Sequence, residues 1–128
     1  MSRPTPLRPF RYVVVIGCAA AILAASVVDP GDGMPRMVFG VGTTVYLHVV
    51  AYAGLATALG YAARSVDRRT LAVVVTVATV YGAGIEILQW HIPYRTTSAV
   101  DAVINAVGSA FGAGAWRLLT RPSDIDGD

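Results

Sequence analysis

The sequence predicts an all-α fold: a four-helix transmembrane bundle with both termini on the cytoplasmic side. Three observations lead there. More than half of the 128 residues are apolar and only 14% are charged, a balance outside the range of ordinary soluble domains. Apolar segments of about 20 residues, the length that crosses a hydrocarbon layer of ~30 Å, recur between short polar links. The arginines are also asymmetric: Arg3, Arg8, Arg11, Arg64, Arg68, Arg69, Arg117 and Arg121 flank the segments on one side, against Arg36 and Arg95 on the other. That bias is the positive-inside pattern. The chain reads as one domain, residues 1–128, multi-pass in the cell membrane.

Residues 1–11 place Arg3, Arg8 and Arg11 among three prolines. Proline disfavours a helix interior, so this stretch is expected to be a basic, unstructured cytoplasmic arm. The first span is expected at 12–28, closed by Asp29-Pro30-Gly31-Asp32-Gly33. A basic arm before an apolar run that holds Ala24-Ala25-Ser26 also suggests a cleaved signal peptide, and Val15-Ile16-Gly17-Cys18 resembles a lipoprotein box. Only six residues separate Arg11 from Cys18, too few for a signal core, and the apolar run continues beyond the cysteine. A membrane helix with Cys18 as a small packing residue is the preferred reading. A single cysteine excludes an internal disulfide framework.

The second span lies within 37–63, starting near Val41 or Tyr46 and ending at Arg64. His48 and Tyr52 are one helical turn apart and share a face, while Ala51, Gly54 and Ala58 let a neighbouring helix approach. A charged turn, Arg64 to Arg69, leads to a third span at 70–90. Its β-branched start, Val73-Val74-Val75-Thr76-Val77, would suggest a strand in water, but backbone polar groups in lipid must be satisfied within the segment, which favours helix. Thr79, Gly82, Glu86 and Gln89 recur at steps of three and four along it. Pro93 stops that helix, and Thr96-Thr97-Ser98 offer an N-cap for a fourth span at 99–119. Asp101, Asn105, Gly108, Gly112 and Ala115 form a seam on that span. Gly108 to Gly112 is a GxxxG match, read as helix packing within the chain or as the basis of a homo-oligomer. Residues 122–128 form an acidic tail.

With this topology, His48, Glu86, Gln89, Arg95, Asp101 and Asn105 fall in the outer third of the membrane. A charged side chain at bilayer depth costs on the order of 2.5–3.5 kcal/mol by insertion scales. Polar groups delivered to one depth by separate segments are therefore expected to meet in one outward-facing recess. The candidate ligand-binding set is His48, Tyr52, Glu86, Gln89, Arg95, Asp101 and Asn105. His48, Glu86 and Asp101 are the candidates for catalysis, with His48 as general base and a carboxylate setting its tautomer. The same three could hold a divalent metal, with His91 as a fourth ligand, but no metal or cofactor is assigned. HExxH and GxSxG patterns are absent from the sequence. Dispersed arginines and a formal charge of +2 give no reason to expect a nucleic-acid partner.

The pieces His48-Val49-Val50-Ala51-Tyr52-Ala53-Gly54-Leu55, Glu86-Ile87-Leu88-Gln89, Pro93-Tyr94-Arg95 and Asp101-Ala102-Val103-Ile104-Asn105, with Gly108 and Gly112, resemble the VanZ-like membrane proteins in order and spacing. The resemblance covers about 46–114. It implies a four-helix membrane domain with His48, Glu86, Gln89, Arg95, Asp101 and Asn105 as the shared polar set, and an association with teicoplanin resistance. The expected partner is a membrane lipid head group or an envelope or antibiotic amphiphile. The alternatives are an intramembrane enzyme acting on a lipid-linked substrate and polar residues that serve helix packing alone.

Overall fold

The computed structural model describes residues 8–29 and 36–126. The element order is α1 (Arg8–Val27), β1 (Met37–Val38), β2 (Val41–Gly42), α2 (Thr43–Ala63), α3 (Arg68–Gln89), α4 (Ala99–Leu119) and α5 (Pro122–Asp126). Arg3 and most of the expected arm, residues 30–33 of the expected turn and the end of the acidic tail lie outside the described residues.

The element bounds depart from expectation where local chemistry extends a helix. α1 starts at Arg8, not at Tyr12, because Pro9 sits in the first turn, where its missing N–H has no helical acceptor to lose. Residues 8–11 of the arm are thus helical, and Arg11 Nη1 donates to the carbonyl of Ala62, 3.2 Å away. α3 starts at Arg68 because Asp67 caps it, accepting from the backbone N–H groups of Arg69 and Thr70 at 3.1 and 3.3 Å. Asp101 caps α4, its Oδ2 accepting from the Ser98 N–H at 3.1 Å. The acidic tail winds into α5, where Asp124 Oδ2 accepts from the Arg121 N–H. A small antiparallel hairpin, β1 with β2, precedes α2. Its turn places Phe39 and Gly40 at φ 52° and 76°, the positive values that suit the twist of a two-residue hairpin.

α2 is central, packing against α1, α3 and α4. Its tightest partner is α4. A Cβ on Gly108 would lie 2.8 Å from the Val49 carbonyl oxygen, and one on Gly112 would collide with the carbonyl of Ala53. The GxxxG pair therefore serves packing inside the chain. Its face is already covered by α2, so a homo-oligomer would have to use other residues. Thr57 Oγ1 reinforces the seam, donating to the carbonyls of Ala53 and Gly112 at 2.8 and 3.2 Å.

The interior is small and the exterior apolar. Asn105 and Ser109 are completely buried, whereas Val50 is 70% and Phe111 67% exposed. That inversion suits lipid, where bulky apolar side chains face the solvent and small or polar ones mediate helix contact. Pro9–Val27, Thr43–Ala63 and Arg68–Gln89 are long and apolar enough to cross a membrane. α4 is equally long at 21 residues, but Asp101, Asn105 and Arg117 lower its hydropathy. Composition alone thus supports three of the four expected spans.

Candidate functional site

The expected polar residues divide into two groups joined by His48. One lines a cavity of about 110 Å³ between α1, α2 and α3, whose wall includes His48, Tyr52, Gln89 and Arg95. Ala25 and Ser26 of α1 complete it, a contribution that sequence reasoning missed because α1 carries no charge in its last turn. The second group, Glu86, Asp101 and Asn105, is absent from that wall. It lies at the contact of α3 with α4, where a Cβ on Gly82 would fall 2.7 Å from Asn105 Nδ2 and 2.9 Å from Tyr52 Cε1.

His48 connects the two. Its Nδ1 is 2.7 Å from Oδ1 of Asn105, and its ring lies 6.2 Å from that of Tyr52, centroid to centroid. The sequence pointed to Glu86 or Asp101 as the group that sets the histidine tautomer; the hydrogen bond falls to Asn105 instead. With Nδ1 so engaged, Nε2 is the ring nitrogen left for the cavity.

Glu86 has both carboxylate oxygens buried with no hydrogen-bond partner among the described residues, and Asn105 Nδ2 is in the same condition. Glu86 lies within electrostatic reach of Asp101 and His48. Buried polar atoms are nearly always paired, so an orphaned carboxylate inside a helix contact asks for an explanation. Asp101 is committed to the α4 cap described above.

Arg95 and Gln89 have a structural task as well. Arg95 Nη2 donates to the carbonyls of Ala25, at 2.8 Å, and Val28. Gln89 Nε2 donates to the Ser26 carbonyl at 3.0 Å, and the Tyr94 hydroxyl to that of Val27. The last carbonyls of α1, which have no helical partner, are thus satisfied by side chains from α3 and the link after it. A cation at a helix C-terminus also meets the negative end of the helix dipole.

Among the described residues, no three His, Cys, Asp or Glu side chains are grouped to hold a metal ion. The trio His48, Glu86 and Asp101 does not assemble as ligands. His91, considered as a fourth, is exposed in the turn after α3 and bonds through Nδ1 to the carbonyl of Ile87 in the last turn of that helix.

Long apolar helices, lipid-facing bulk and a buried polar cluster define a small all-α membrane protein. Its family is equally plain: the VanZ/LLP1 family model matches residues 7–120, and the chain belongs to that family. Comparison with curated proteins and with solved structures gives no significant match.

Proposed function

We propose that this protein holds the polar head group of a membrane lipid or lipid-like amphiphile in the cavity between α1, α2 and α3. The observation that carries the reading is the cavity wall itself. It combines His48, Tyr52, Gln89 and Arg95 with Ile22, Leu47 and Ile85, a mostly apolar lining with a few polar groups, as small-molecule sites generally have. The remaining N–H groups of Arg95 would meet a phosphate or carboxylate, for which a guanidinium is the best-matched side chain. His48 Nε2 and the Tyr52 hydroxyl would meet hydroxyl or amine groups. At about 110 Å³ the cavity suits a head group or a fragment of an amphiphile; a whole glycopeptide would remain at the surface. The arginine asymmetry supports four spans, with the cavity opening toward the exterior and both termini in the cytoplasm.

A second reading rests on one specific observation. A cavity-lining histidine whose Nδ1 is held by Asn105 has Nε2 left to act as an oriented general base. The corresponding activity would be proton abstraction on a lipid-linked substrate.

Mass spectrometry of the protein extracted gently from its native membrane tests the first reading. A co-purifying lipid is expected in the natural protein and is lost in Ala51→Phe, which fills the cavity and keeps every polar group. Equal retention by the filled variant rejects the cavity as the binding site. Substrate turnover in liposomes that vanishes in His48→Ala would favour the enzyme.

A further inference from the structure

We propose that the opposite end of the molecule carries a second, independent site, which takes a phosphate group and in the membrane is filled by an acidic phospholipid. A cavity of about 310 Å³ lies there, lined by Arg11, Tyr61, Arg64, Trp116, Thr120 and Asp124, with Leu119 and Ile125 as its apolar walls. Four elements meet around it: the start of α1, the end of α2, the end of α4 and α5.

Both arginines are folded into the protein. A guanidinium that merely anchors a helix end extends toward water and leaves its stem on the apolar surface. Arg11 instead turns onto the Ala62 carbonyl, and its Nε is buried without a hydrogen-bond acceptor among the described residues. Arg64 adopts a left-handed backbone, φ 50°, that ends α2. Its Nη2 reaches the carbonyl of Ile125 in α5.

Among the described residues of the cavity wall, two are arginines and one, Asp124, is a carboxylate, and that carboxylate already accepts the Arg121 N–H at 3.1 Å. The Trp116 indole is fixed by its own bond to the Ser65 carbonyl, 2.8 Å, and Tyr61 packs against it edge-on at 6.0 Å. Gly60 makes room for that indole, since a Cβ there would lie 2.7 Å from Trp116 Cδ1. The result is a rigid aromatic wall at interfacial level, where Tyr and Trp sit between water and hydrocarbon. Guanidinium donors and apolar walls in one cavity match a phosphate on an acyl glycerol.

Native mass spectrometry of the full chain in detergent, offered phosphatidic acid or phosphatidylcholine in equal amounts, tests the site. Phosphatidic acid is expected to be retained at least about tenfold better, the effect of a charge-assisted hydrogen bond or two. The preference should disappear in the Arg11→Gln/Arg64→Gln double variant. It should persist in Arg117→Gln, which removes an exposed charge from the same helix end outside the cavity. Should the double variant fail to fold, Thr120→Trp, which fills the cavity and keeps both arginines, is expected to abolish the preference. Glycerol 3-phosphate separates the sources: competition by it at millimolar concentration supports the site with a soluble ligand, and no competition supports it with a lipid. Equal retention of the two lipids, or a preference that survives cavity filling, overturns the proposal.

Discussion

Nδ1 of His48 in α2 and Oδ1 of Asn105 in α4 lie 2.7 Å apart, joining a residue of the cavity wall to a fully buried amide. Hydrogen bonds between helices in a membrane are worth about 0.6 kcal/mol on average and rarely above 1.7. A thermal-stability double-mutant cycle of His48→Ala and Asn105→Ala is therefore expected to give a coupling of about 0.5–1.5 kcal/mol. Additive effects would mean that the pair is not formed. Gly82→Ala, whose Cβ would displace the Asn105 amide and the Tyr52 ring, should disturb ligand retention in the same direction as Asn105→Ala.

Glu86→Gln separates a functional carboxylate from a structural one. Both oxygens are buried without hydrogen-bond partners among the described residues, so no hydrogen bond offsets the cost of taking the carboxylate out of water. The variant is expected to melt in detergent at the same temperature as the natural protein or higher, and to bind its ligand less well. A fall in Tm of several degrees would show that Glu86 ties helices together.

Gly112→Ala puts a methyl group into the Ala53 carbonyl, and Gly108→Ala puts one against Val49. Backbone must move in both cases. A loss of about 1–3 kcal/mol each is expected from overpacking, larger for Gly112. Crosslinking should show no change of oligomeric state, because the affected contact lies within one chain. A change confined to oligomer formation would contradict the packing seen here.

Arg95→Met leaves the Ala25 and Val28 carbonyls without their donor. Removing a charged partner from such groups costs about 1–3 kcal/mol. Hydrogen exchange should accelerate across 24–29, the end of α1, while exchange in the middle of α2 stays as it is. Arg95→Lys should restore part of the protection. Unchanged exchange would mean that α1 ends independently of the link after α3.

The helices were legible in the sequence because their signals are local. A run of apolar residues of bilayer length, a proline or aspartate at its edge and a small-residue seam each act within a few turns, and the third and fourth expected spans differ from α3 and α4 by two residues or fewer. α3 starts two residues before the expected position, because Asp67 caps it, and α1 starts four residues before, because proline is tolerated in a first turn.

His48, Gln89 and Arg95, which the order of the spans sets near one end, line one cavity. Their partners were not readable from spacing. Periodicity states which residues share a stripe; it does not state which stripe of another helix lies opposite. That is decided when Gly108 and Gly112 admit the α2 backbone and so set the rotation of α4. In that setting Asn105 reaches His48, Glu86 is enclosed without a hydrogen-bond partner among the described residues, and Arg95 is drawn to the end of α1. The composition and order of the chain determined a membrane protein with polar groups near one end. Only the packed helices decided which of those groups face a cavity and which are sealed behind it, because burial and hydrogen bonding depend on neighbours distant in sequence.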